Sequence, residues 1–291
     1  MEQITYWIVF PILKGISKLP WFLFYRLSDI TYFFLYYLIG YRKKVVQENL
    51  ALSFPNKSII ERKKIEKKFY RHMCDLFLEM IKSLSMSTEE TQKRYSLKNP
   101  ELLEKLDKEG SFMIVSPHYA NYEWGCIIDT LSSKTCVGVY KKIKNPLFEK
   151  LVLKLRSRYG SEVILNTKIT KYTLSKEANP KEQGQRIYGL IIDQSPKSNK
   201  ENYFVNFMGK EVPAFVGAEV LARKTNMPIV YFKISKVKRG YYEYELVPIE
   251  VSSSKDFQFP ATHRFYELLE EQIYETPAYY LWTHKRWKHA R

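Results

Sequence analysis

Phe112-Met-Ile-Val-Ser-Pro-His-Tyr-Ala-Asn-Tyr-Glu-Trp-Gly125 decides the fold. The apolar run Phe112 to Val115 reads as a short buried strand, Pro117 as the turn after it, and Asn121 as the cap of a short helix that carries Glu123. His118 then stands at the carboxyl end of a strand, where side chains of open α/β sheets project into a crevice and ligand and catalytic groups collect. A lone histidine is often structural, and a His-x-x-x-x-Glu spacing recurs by chance. The strand, turn and helix around this one can aim an imidazole and a carboxylate at each other. The carboxylate would fix the tautomer of His118 and stabilise the imidazolium formed when the ring takes a proton from an alcohol.

Outward from that stretch, strand and helix signals alternate. Strands are expected at 137–140, 162–165, 189–192, 228–234 and 241–247, the last after a turn at Gly240, and helices at 60–84, 146–159, 214–224 and 261–274. Segment 206–213 reads as a loop leading into the 214–224 helix, and 179–184 as another loop. Such alternation predicts an α/β fold with a central, largely parallel mixed sheet flanked by helices. With 291 residues and no repeat or long linker, the chain suits one catalytic domain, 45–291, behind an N-terminal helical segment, 1–44. The second polar pair, Asp193-Gln194, ends an apolar run as His118 does; if the two strands are neighbours, their ends meet. A strand-end Asp is equally a turn cap.

The chain carries 47 Lys plus Arg against 31 Asp plus Glu, a net charge of +16, which favours anionic partners. The 23 Tyr and 17 Phe could offer stacking platforms for nucleic acid, yet no nucleic-acid module is recognisable and the aromatics concentrate in the first forty residues. There Tyr6 to Leu13 and Leu19 to Tyr41 are mostly apolar, and 21–41 reaches the length of about 20 residues that a spanning helix needs. Arg26 and Asp29 within it must pair or face protein, so spanning the membrane and lying on its surface both remain open. The basic Arg42-Lys-Lys44 that follows places the remainder on the cytoplasmic side. No cleavable signal peptide is expected, since the start lacks a basic region and a small-residue cleavage site. Cys74, Cys126 and Cys136 have neither metal-like spacing nor an even count, and no histidine spacing fits a zinc site, so neither metal nor cofactor is expected. The basic face of the 60–84 helix, with Arg62, Lys63, Lys67, Lys68 and Arg71, is either simply solvated or a contact for anionic head groups.

Beyond the His118–Glu123 spacing, the chain resembles the late acyltransferases of lipid A biosynthesis (lauroyl/myristoyl type), relatives of the glycerolipid acyltransferases with an H-x-x-x-x-D/E motif. The resemblance rests on Tyr41-Arg-Lys-Lys-Val-Val-Gln-Glu-Asn-Leu50 with Ser53-Phe-Pro55, on Val139 to Pro146, Arg156-Ser-Arg-Tyr-Gly160, Ile192-Asp-Gln194 and Asn206-Phe-Met-Gly209, and on Tyr280-Leu-Trp-Thr-His-Lys-Arg-Trp-Lys288. It implies a glycerolipid acyltransferase-like fold and a membrane-associated O-acyltransferase on the cytoplasmic face of the inner membrane. The donor it implies is an acyl thioester on acyl carrier protein, an acidic partner, and the acceptor a hydroxyl on a 3-hydroxyacyl chain of a lipid A precursor. His118, oriented by Glu123, would act as general base in one step, with substrate contacts from Asn121, Arg156, Asp193 and Gln194. Either Arg156 or Arg158 matches the family's arginine before a glycine, and Arg156 is taken. A glycerolipid acyltransferase acting on a lysophospholipid would use the same pair; Glu at 123, the 42–55 block and the 282–288 tail favour lipid A. Where many relatives carry Thr or Ser before the helix, this chain has Pro213-Ala-Phe215, which puts a hydroxyl contact there in doubt.

Overall fold

The computed structural model describes residues 2–196, 203–250 and 257–291, without the side chains of residues 2–8, so Tyr6-Trp-Ile8 of the first apolar run lie outside the described side chains. The chain opens with four helices, α1 (Glu2–Lys18), α2 (Trp21–Phe33), α3 (Lys43–Ser53) and α4 (Ile59–Lys82). A π-helical segment, Phe34–Ile39, continues α2 and ends at Gly40 in the left-handed conformation at φ 64°. Next come α5 (Thr88–Arg94), β1 (Tyr95–Leu97), α6 (Pro100–Glu109), β2 (Phe112–Ser116), a 3₁₀ helix (Tyr122–Thr130), β3 (Thr135–Tyr140), α7 (Pro146–Arg156) and β4 (Glu162–Leu165). The remainder is α8 (Ile169–Glu177), β5 (Arg186–Ile191), β6 (Tyr203–Phe207), β7 (Lys210–Ala214), α9 (Gly217–Thr225), β8 (Ile229–Lys238), β9 (Tyr241–Ile249) and α10 (Pro260–Glu275), with a 3₁₀ turn at Pro277–Tyr279.

Seven strands form one sheet in the order β1-β9-β8-β2-β5-β3-β4, parallel throughout except for the β8–β9 hairpin. The expected mixed, mostly parallel sheet flanked by helices is therefore present. Local chemistry explains its helix starts. Ser58 and Glu61 form a reciprocal capping box on α4, and Asn145 caps α7, with Pro146 at its first position. Both β2 and β5 lie in the sheet interior, and β2 is buried along its whole length, as its unbroken apolar run requires.

Two expectations are corrected. Segment 206–213 is not a loop: it holds the β6–β7 hairpin, whose turn at Met208-Gly209 takes positive φ at both residues, 53° and 73°. Because Pro213 and Ala214 belong to β7, α9 starts at Gly217, later than expected. Of the two N-terminal alternatives, no helix of the described residues is long and apolar enough to cross a membrane. Asp29 pairs with Arg239 of the β8–β9 hairpin at 2.7 Å, while Arg26 remains exposed. Tyr32 and Tyr36 of this N-terminal region are part of the same buried core as β2 and β8.

Candidate active site

Register places the two polar strand ends side by side. Ser116 of β2 is level with Ile191 of β5, and Ile192 N–H donates to Ser116 O at 3.2 Å. His118 and Asp193 thus leave neighbouring strands at the same end of the sheet. His118 Nδ1 lies 2.7 Å from Asp193 Oδ1, with the imidazole 18% exposed and the carboxylate 2%. Burial pushes the Asp193 carboxyl up, but the His118 pairing and the Arg286 charge outweigh it, so the group titrates below its ordinary value. An ionised Asp193 can only accept, so Nδ1 carries the proton and Nε2 of the neutral ring keeps its lone pair. The Gln194 side-chain amide nitrogen stands 3.3 Å from that Nε2.

Glu123 is not the partner of His118, which corrects the expected dyad. Its two oxygens accept from Arg156 Nη2 at 2.7 Å and Nε at 3.1 Å, a bidentate pair that is only 13% and 27% exposed. Burial lowers the Arg156 pKa, yet Glu123 more than offsets it and holds the guanidinium charged. The separation has a local cause. Ala120, between the two, adopts φ 49°, an uncommon conformation for a residue with a Cβ. Ala120 N–H donates to Tyr279 O, and Leu281 N–H to His118 O. The chain turns there under the C-terminal segment, and the 3₁₀ helix then carries Glu123 toward α7.

Asn121 caps that helix as expected, its Oδ1 accepting from Trp124 N–H. As a substrate contact it is corrected: the residue is fully buried and its Nδ2 donates to Glu79 Oε2 at 2.8 Å. Glu79 also accepts from the hydroxyls of Tyr25 and Tyr242, and burial raises its carboxyl pKa. Arg158, the alternative to Arg156, is committed to the carbonyls of Ser83 and Met86.

Beneath the Glu123–Arg156 pair lies a cavity of about 140 Å³. Its floor is one face of the sheet, with Ile114 on β2, Ile187 and Gly189 on β5 and Gly138 on β3; its roof is the 3₁₀ helix. Gly189 is the register partner of Ile114 on one side and of Gly138 on the other, so two adjacent floor positions carry no side chain, which opens the space. Ser116, Tyr122, Glu123, Arg156 and Ser161 supply its polar lining. Among the described residues no group of three or more His, Cys, Asp or Glu is placed to hold a metal ion.

Sequence reading missed the part played by the C-terminal block. Tyr119 and Tyr280 form an antiparallel bridge. Arg286, fully buried, donates from Nη1 to Ser195 Oγ at 2.9 Å and to Pro213 O, and from Nη2 to Tyr266 OH, which in turn donates to Ile192 O. The tail therefore holds both strand ends, one through His118 and one through the residues flanking Asp193. Comparison with curated proteins returns no match. The sequence model of the bacterial lipid A biosynthesis acyltransferase family, by contrast, matches residues 1–289, nearly the whole chain. With that match and a histidine-carboxylate pair at a sheet's carboxyl end beside an apolar cavity, the chain belongs to the bacterial lipid A biosynthesis acyltransferase family.

Proposed function

We propose that this acyltransferase of lipid A biosynthesis moves a fatty acyl group from acyl carrier protein to a hydroxyl of a lipid A precursor, with His118 as general base and Asp193 as its orienting carboxylate. The observation that carries the reading is the 2.7 Å His118–Asp193 contact, which leaves Nε2 as the ring nitrogen that can take a proton. In the reaction Nε2 takes the hydroxyl proton as the acceptor oxygen bonds to the thioester carbon. The C–S bond then breaks and the imidazolium returns the proton to the leaving thiolate. Asp193 stabilises the imidazolium in between, as the carboxylate of a hydrolytic triad does.

The acyl chain occupies the cavity between sheet and 3₁₀ helix. Arg156, fixed by Glu123, has N–H groups left over from that pair, and these stabilise charge developing on the thioester oxygen. Gln194 moves off Nε2 or shares it as the acceptor hydroxyl arrives. Asn121 supports the site from beneath, through Glu79 and Trp124.

The N-terminal segment, 1–44, lies on the cytoplasmic face of the inner membrane without crossing it. Phe22, Ile30, Phe33, Phe34, Tyr37, Leu38 and Ile39 are exposed on α2 and the π segment, with Tyr41 beyond. A face this apolar with basic residues at its end suits the interface of an anionic bilayer. The experiment is to compare intact lipid masses in a strain lacking the gene and complemented with wild type or His118→Ala. The reading expects a lipid one acyl chain lighter in the deletion and with His118→Ala, restored only by wild type. Restoration by both would overturn it.

A further inference from the structure

The two signature blocks at the ends of the chain meet beside the reaction centre. Arg42 Nη1 donates to Thr283 O at 3.0 Å, Asn49 Nδ2 donates to Trp282 O and His284 O, both at 2.8 Å, and the Phe54 ring packs on the edge of Trp282. Arg42 itself takes φ 53° at the start of α3, an uncommon conformation for a non-glycine residue, and this sets its exposed guanidinium against the tail. Arg42, His284 and Arg286 thereby form one group, with Lys285 next to them in sequence.

Among the described residues no carboxylate is within ion-pair distance of Arg42, Lys285 or Arg286. Burial pushes the His284 imidazole down to about 4, with Asp193 opposing and the charges of Arg286, His118 and Arg42 adding to the shift, so the ring is neutral near pH 7; the one acid in that set already serves His118. Two nitrogens of the group, His284 Nδ1 and Arg286 Nε, are buried without a partner, although buried polar atoms in folded proteins are nearly always paired. The charges of Arg42 and Arg286 are therefore unmatched by any acid among the described residues, and His284 adds a neutral ring with one unpartnered nitrogen. A phosphate monoester, with a charge of about −1.5 to −2 and three acceptor oxygens, matches that surplus, and a guanidinium can bind it through two parallel hydrogen bonds. The exposed apolar stripe ends at Tyr41, immediately before Arg42, which puts the cationic group at head-group depth if the stripe rests on lipid.

We infer that Arg42 and His284, backed by the charge of Arg286, bind the phosphate of the acceptor lipid's head group and so hold the acceptor beside His118; this rests on the acceptor reading above. Arg42 and His284 are the contacting residues. Arg286, being fully buried, contributes charge from behind them.

The test is histidine NMR on the full-length, detergent-solubilised protein, with His284 assigned from His284→Gln. Inorganic phosphate, phosphatidic acid in the detergent, and chloride at matched ionic strength are titrated in turn. The expected result is a saturable shift of the His284 signals with both phosphate probes and none with chloride. Phosphatidic acid should act at a midpoint about tenfold or more below inorganic phosphate. Arg42→Gln should raise both midpoints about tenfold, the loss of one charge-assisted contact; Arg42→Lys should recover part of that, and Lys105→Gln on α6 should change nothing. No shift, a shift equalled by chloride, or one indifferent to Arg42→Gln would overturn the site. Equal midpoints for the two phosphate probes would remove the lipid head group and leave a site for soluble phosphate. The readout is binding, so it separates from turnover: a response kept in a protein without transfer activity sinks only the reaction, and no response in an active protein sinks only the site.

Discussion

Gly138→Val tests whether the acyl chain lies where the cavity is. A Cβ built at Gly138 meets only Glu162 O, at 3.9 Å, ordinary van der Waals contact. Valine therefore fits the backbone of β3, and as a β-branched residue in a strand interior it should hold or raise the melting temperature rather than lower it. Its three side-chain carbons project into the cavity from a floor position that carries no side chain, and shorten it. A bound chain would lose about two to three methylenes of depth, roughly one per added carbon. Each methylene is worth about 0.8 kcal/mol on burial, close to fourfold in kcat/KM. The variant should therefore discriminate against the native chain length by ~15- to 60-fold relative to a donor two or three carbons shorter, which it should use at the wild-type rate. The assay is competition between acyl carrier protein donors of graded length, with the product chain read by mass spectrometry. A folded, fully active variant with the wild-type length distribution would refute this location for the chain.

Three further outcomes are expected. Asp193→Asn should lower kcat by about 10²- to 10⁴-fold with little change in melting temperature, because it disturbs the tautomer and removes the counter-charge of the imidazolium; a kcat within threefold of wild type in a folded variant would contradict the role given to Asp193. Burial raises the Glu79 carboxyl pKa, so the stability this group contributes is complete below its unfolded pKa and is lost as pH rises through the folded one. Melting temperature should accordingly fall from pH 4 toward neutrality, and Glu79→Gln should reduce that slope, whereas an identical slope would refute the assignment. Replacing Phe33, Phe34, Leu38 and Ile39 together by Ser removes four exposed apolar side chains worth about 1.5–3 kcal/mol each on full burial. Sedimentation with anionic vesicles should show at least ~100-fold weaker binding, and unchanged binding would move the contact elsewhere.

Most of the architecture was readable because it depends on local signals. The buried run before Pro117, the exact strand at Glu162–Leu165 and the cap at Asn121 all follow from residue types within a few positions of one another. The hairpin at 203–214 was hidden because its turn, Met208-Gly209, puts a non-glycine residue at positive φ and lacks the usual Asn-Gly or Asp-Gly. The partner of His118 failed for another reason. Glu123 is five residues away and Asp193 seventy-five, and only the sheet order, with β5 beside β2, makes the distant one the neighbour. Ala120 at positive φ turns the nearer carboxylate away, and no residue type there announces it. Arg42 and His284 were visible as members of two blocks, but their meeting across some 240 residues is a property of the packed chain.

The most direct test of the account is to incubate purified protein with acyl carrier protein thioester and a lipid A precursor, and to follow acyl-product mass and free thiol together for wild type, His118→Ala and Asp193→Asn. The account predicts one thiol released per acyl chain added by wild type, no product above background with His118→Ala, and a strongly slowed reaction with Asp193→Asn. Product formed by His118→Ala at the wild-type rate would contradict it.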